Sequence, residues 1–137
     1  MQLRDDVRAF LAEERFGVLG TVNADGSPQQ TVMWYELRGD TIVMNTKRGR
    51  KKDRNLVRDP RASLCVEDGF RYVTLDGVIE TIEDQATAQA DIAALARRYH
   101  DAQTAEEMAR DVFAPQERVS LLLRVGRVDV HGFDGEE

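Results

Sequence analysis

The chain is poor in the residues that build a catalytic centre unaided. It has one cysteine in 137 residues, Cys65, so no internal disulfide can form. Cys65 sits in the apolar run at 62–66 and is expected to be a buried, inert thiol. Histidine occurs only at positions 100 and 131. Neither has a second histidine or cysteine at metal-ligand spacing, so no metal site is expected. His100 is expected to close a helix, where a cation suits the dipole. Ser27, Ser63 and Ser120 lack the turn context of an activated nucleophile. No Gly-x-Gly-x-x-Gly pattern and no Walker loop is present. No apolar run approaches the roughly 18 residues of a membrane span, and the charged start at 1–6 does not read as a signal peptide. The net charge of −6 argues against a general nucleic-acid binder. These absences lead to the expectation of a single cytoplasmic domain over 1–137, disordered only at 134–137, with no membrane and no nucleic-acid partner. Redox or transfer chemistry would have to come from a bound cofactor acting on a small-molecule substrate.

What is present is an uneven charge distribution. Residues 47–54, Lys47-Arg48-Gly49-Arg50-Lys51-Lys52-Asp53-Arg54, carry six cations and one anion, a net of +5, which leaves −11 for the rest. Like charges grouped in one segment repel, and a bound anion relieves the repulsion. Asn45 and Thr46 precede the segment at a strand end and offer hydrogen bonds to a polyol or a ring edge. Gly49 permits close backbone approach. Arg50 and Lys51 open a helix, where side chains and free N–H groups can meet one phosphate together.

Periodicity supplies the frame. Leu3, Val7, Phe10 and Leu11 predict an amphipathic helix over 3–14. Strands are expected at 16–22, 29–37 and 41–46, joined by an Asp25-Gly26 turn and an Arg38-Gly39-Asp40 turn into an antiparallel meander. A short helix over 50–57 ends before Pro60. Strands at 62–67 and 70–81 flank Asp68-Gly69, and Gly77 marks a bulge or a close backbone approach. Helices follow at 83–100 and 104–113, the second expected to start at a Thr104–Glu107 capping box. A strand at 119–130 closes the chain. The reading is mainly β with flanking helices: six antiparallel strands and a helical insertion before the last. A closed barrel removes exposed edges, and a sandwich fits the same pattern nearly as well.

The order of short motifs then becomes specific. Leu19-Gly20-Thr21-Val22, Asp25-Gly26-Ser27-Pro28-Gln29, Met33-Trp34-Tyr35, Asn45-Thr46, Arg50-Lys51-Lys52-Asp53-Arg54-Asn55-Leu56 and Asp59-Pro60-Arg61-Ala62-Ser63-Leu64 follow one another. Phe70-Arg71-Tyr72-Val73, Leu75-Asp76-Gly77 and 94–99 come later. This series resembles the pyridoxamine 5′-phosphate oxidase-like split-barrel family, in its branch of deazaflavin (coenzyme F420)-dependent reductases.

The resemblance implies a six-stranded antiparallel split β-barrel of the FMN-binding type. It implies a homodimer with cofactor grooves at the interface. Arg50 and Lys51 would hold the cofactor phosphate. Asn45 and Thr46 would line the ribityl-like chain, and Met33 and Trp34 would pass beside the ring. Lys47 and Gly49 belong to the same segment, and Lys47, Arg48 and Lys52 would suit the acidic tail of F420. Arg71 and Tyr72 would come from the partner subunit, with Tyr72 a candidate proton donor. The implied activity is hydride transfer from F420H2 to a small unsaturated substrate. Alternatives are an FMN-dependent oxidoreductase of the same fold and a non-catalytic flavin or F420 carrier. Haem-binding relatives use a C-terminal histidine, a place His131 could fill.

Overall fold

The structure is a computed structural model and describes residues 1–134; of the expected disordered tail, residues 135–137 lie outside the described residues. The elements in chain order are α1 (Asp5–Ala12), β1 (Gly17–Val22), β2 (Pro28–Met33), β3 (Glu36–Arg38), β4 (Thr41–Lys47), α2 (Lys51–Arg58), β5 (Arg61–Glu67), β6 (Tyr72–Ile82), α3 (Gln85–Tyr99), α4 (Ala102–Met108) and β7 (Arg118–His131). A π-helical turn, Ala109–Phe113, continues α4. The antiparallel sheet runs β2-β1-β5-β6-β7-β4-β3. None of the described helices is long and apolar enough to cross a membrane.

The expected strand 29–37 is two strands, β2 and β3, broken at Trp34 and Tyr35. The break moves the chain from one edge of the sheet to the other. Six strand spacings laid flat would separate those edges by roughly 29 Å. Three Cα steps, Met33 to Glu36, span at most about 11 Å. The sheet must therefore curl, and a split barrel results. The expected three-strand meander is corrected accordingly: β1 pairs with β2 and β5, while β4 pairs with β3 and β7. Strand count rises from six to seven for the same reason.

Alternation along the strands fills the barrel. Leu19, Ile42, Met44, Leu64, Val66, Val73, Leu75, Leu121 and Leu123 share one buried cluster. Helix α1 adds Val7, Phe10 and Leu11 to it, and Phe10 meets Phe133 edge to face at 5.2 Å. A second apolar cluster, Ile92, Leu95, Ala96, Ala105 and Phe113 with Trp34 and Met108 against it, joins α3, α4 and the π-helical turn.

Helix starts differ in detail from expectation. Asp101, not Thr104, caps α4, its carboxylate accepting from Thr104 N–H. A carboxylate satisfies the free N–H and also suits the positive end of the helix. Cys65 is half-buried rather than sealed in the core, because residues 61–67 alternate and its register puts it on the outer face of β5.

Gly77 sits at a bulge between β6 and β7, where a Cβ would stand 2.0 Å from the Arg124 carbonyl oxygen. Gly77→Ala is expected to cost about 1–3 kcal/mol or more in urea unfolding, as overpacking does. Gly126→Ala, whose Cβ has 3.8 Å to its nearest neighbour, should cost clearly less. Equal losses would contradict the close-approach reading.

Candidate anion-binding cavity

A cavity of about 310 Å³ lies where the barrel meets the helical cluster. Its polar wall is Asn45, Thr46 and Lys47 at the end of β4, Arg50 and Lys52 at the start of α2, and Arg118 at the start of β7. Its apolar wall is Val32, Met33 and Trp34 from β2 and the break, Ile92 and Leu95 from α3, and Met108 and Phe113.

Sheet register makes the polar wall. Lys47 pairs with Arg118 and Asn45 with Ser120. Side chains two apart share a face, so Arg118 lies beside Asn45. The Arg118 Nε donates to Asn45 Oδ1 at 3.0 Å and its Nη1 to Gln116 Oε1 at 2.7 Å. Its guanidinium also stands 5.0 Å from the centre of the Phe113 ring. The Asn45 amide donates in turn to the Ala88 carbonyl at 2.9 Å.

The cations of this wall lack counter-charge. Among the described residues, no carboxylate forms an ion pair with Arg50, Lys52 or Arg118. Lys52 is only 7% exposed. Burial lowers its pKa, and the neighbouring Arg50 and Arg118 lower it further. Burial, with Arg50 second, pushes Arg118 down to about 10. A buried charge is ordinarily paired. Three cations converging without a partner suit an anion with several acceptor oxygens, such as a phosphate. The start of α2 adds free backbone N–H groups, since no side chain caps it.

The basic segment divides three ways. Arg50 and Lys52 face the cavity and Lys47 borders it. Lys51, expected to share the phosphate with Arg50, points instead to a separate surface with Arg54 and Arg58 beside the 23–27 turn. Successive residues of a helix point about 100° apart, so Lys52, not Lys51, faces the cavity. Arg48 is held by Asp53, Glu83 and Glu117. Gly49 has φ +89 and its N–H donates to Asp53 Oδ2 at 2.8 Å; it serves the turn and does not line the cavity.

Of the remaining expected residues, Met33, Trp34, Asn45 and Thr46 line the cavity. Arg71 and Tyr72 do not; they border a different cavity with Cys65 and Phe70 at the β5–β6 hairpin. His131 stacks on Tyr72 at 5.0 Å, also away from the candidate site. Sequence reasoning missed Arg118 and the helical wall. Arg118 is 66 residues from Lys52 in the chain, and only pairing of β7 with β4 joins them.

A curled split barrel with a cationic cavity under its helical insertion defines a class of cofactor-binding proteins. The family model described as pyridoxamine 5′-phosphate oxidase matches residues 3–132, and the chain belongs to that family. A curated relative, the F420H(2)-dependent biliverdin reductase of Mycobacterium tuberculosis (strain CDC 1551 / Oshkosh), is 33% identical over 78 residues, 56% of this chain and 57% of that protein. The match thus spans little more than half of the relative's length. The crystal structure of the conserved hypothetical protein Rv2991 from Mycobacterium tuberculosis is similar with a TM-score of 0.78 and 27% identity, covering 96% of this chain and 85% of that one. A structure described as F420 Reductase shares the fold with a TM-score of 0.74 and 24% identity, covering 93% and 98%.

The unpaired cations set a pH signature. Lys52 and Arg118 hold their protons less tightly when folded than unfolded. The unfolded chain therefore binds more protons below the ordinary lysine value, and stability rises with pH there. In the ligand-free protein, stability is expected to climb as pH rises toward the ordinary lysine value of about 10.4, and Lys52→Met should flatten the climb. A wild type and variant with parallel pH profiles would contradict the buried, unpaired lysine.

Proposed function

We propose that the chain is an F420H2-dependent reductase that uses this cavity to hold the phosphate end of the cofactor. The convergence of Arg50, Lys52 and Arg118 on one cavity without a carboxylate partner carries the reading. The named activity of the 33% identical relative supports a deazaflavin over FMN. Arg50, Lys52 and Arg118 would bind the phosphate, and Asn45 and Thr46 the polyol. Met33 and Trp34 would flank the ring. Ile92, Leu95, Met108 and Phe113 would exclude water. When bound, the reduced deazaflavin supplies the hydride, and the chain supplies binding and orientation. Arg48 is committed to three carboxylates, so the acidic tail falls to Lys47 and to the outer face of α2 at Lys51 and Arg54.

The cavity wall offers no carboxylic acid, histidine or tyrosine as a proton donor. Tyr72 remains the candidate, and it would have to be delivered by a second copy of the chain. The exposure of Phe70 at 80%, Val32 at 66% and Tyr72 at 42% supports a homodimer that covers these side chains. Sedimentation of the wild type should give twice the chain mass, and Phe70→Asp should shift it toward monomer. A monomeric wild type would remove Tyr72 from the site.

The decisive experiment is titration of the protein with F420, FMN and haem, followed by F420H2 turnover against biliverdin, enones and quinones. F420 should bind with micromolar affinity or better. Lys52→Met and Arg50→Ala should each weaken it more than about tenfold, the loss of one or more charge-assisted hydrogen bonds. Binding of FMN or haem in place of F420 would overturn the cofactor assignment. Tight F420 binding with no turnover of any acceptor would assign a carrier instead of a reductase.

A further inference from the structure

A buried carboxylate on α3 connects to the polar wall of the cavity through β7. Asp91 of α3 is 6% exposed and Ser120 of β7 is fully buried. Ser120 Oγ donates to Asp91 Oδ2 at 2.6 Å, a length typical of a hydroxyl on an ionised carboxylate. Asp91 Oδ1 accepts from Arg38 Nη1 at 2.7 Å, a side chain 41% exposed on β3. The carboxylate thus has one end near solvent and the other inside.

The donor and acceptor inventory makes this chain of bonds directional. An ionised carboxylate only accepts, and a hydroxyl has a single proton to donate. With that proton on Asp91, Ser120 can only accept from Asn45, whose Nδ2 lies 3.3 Å away. The Ala88 carbonyl, 2.9 Å from the same Nδ2, also only accepts. Both neighbours therefore require the NH2 side of the amide, and Oδ1 is left facing Arg118 Nε at 3.0 Å. With Asn45 turned over, two donors would meet at Arg118 and two acceptors at Ala88.

We propose that Asp91 is a positioning residue for the anion site. Through Ser120 it reinforces the orientation of the Asn45 amide that the Ala88 carbonyl also demands, and through Asn45 it helps hold the Arg118 guanidinium against the cavity. The inference rests on reading the cavity as a phosphate site. Asp91 does not line the cavity.

The probe is inorganic phosphate, which requires only the anion site and not the correct cofactor. Phosphate affinity is read from thermal-shift titrations of the full chain. Asp91→Asn and Ser120→Ala should each weaken phosphate by about three- to tenfold, the worth of one buried hydrogen bond. Ser120→Thr, which keeps the hydroxyl, should restore affinity. In an Arg118→Ala background neither Asp91→Asn nor Ser120→Ala should change affinity further, because the residues act through one group. If Asp91→Asn fails to fold, Ser120→Ala in both backgrounds carries the test. A wild type that does not bind phosphate overturns the anion-site reading itself. Normal wild-type binding with both variants unchanged overturns the role of Asp91 alone. Equal losses with and without Arg118 also overturn it, since they would mark a general loosening of the fold.

Discussion

Most of the architecture depends on a two-residue break, Trp34-Tyr35, in what would otherwise be one edge strand. A strand that stops has backbone groups to satisfy, and those buried without partners are costly. Tyr99, at the end of α3, meets that need. Its hydroxyl accepts from Tyr35 N–H at 3.0 Å and donates to the Arg15 carbonyl at 2.6 Å. The Tyr35 phenol turns the other way, fully buried, and donates to the Leu11 carbonyl at 2.8 Å; burial raises it to about 12. One residue of the break thus anchors the barrel core, while the other stacks on Tyr99 at 5.4 Å and joins the helical cluster.

The same break places the cavity. It stops β2 at Met33, so that Val32, Met33 and Trp34 face the end of β4 and the start of α2. It also sends the chain across to β3, which turns into β4, and β4 pairs Asn45 with Ser120 and Lys47 with Arg118 of β7. Curling the sheet brings an apolar wall and a cationic wall onto one cavity. The helical insertion then covers the apolar side. Within α3, Ala88 faces Asn45 and Asp91 faces Ser120, one helical turn apart.

Electrostatics at this site are a compromise between folding and binding. Carboxylates are plentiful in the chain, 25 against 19 Lys and Arg, yet those nearest the basic segment are committed to Arg48 and to the Gly49 N–H. The burial of Lys52 without a partner opposes folding and favours an anionic ligand. Proteins keep such unpaired groups mainly where they serve a function.

Much of the fold was legible in the chain. Alternation and turn chemistry located the strands, and Gly77 announced its bulge through the one property that sets glycine apart. The charge imbalance at 47–54 was visible because clustering of like charge is a property of sequence alone, and three of its cations, Lys47, Arg50 and Lys52, line the cavity. What the sequence could not give was partnership. A break within an alternating run looks like continued strand, so the meander was misread. Lys51 and Lys52 are chemically equal, and only the rotation of α2 decides which one faces the cavity. Arg118 reaches the cavity wall, and Ser120 and Asp91 connect to it from outside the cavity, through strand register and helix docking, which depend on contacts between residues far apart in the chain. The sequence by itself determined most element types and the clustering of positive charge at 47–54; the tertiary structure alone decided which of those side chains share a cavity, because direction and distance exist only once the sheet has curled.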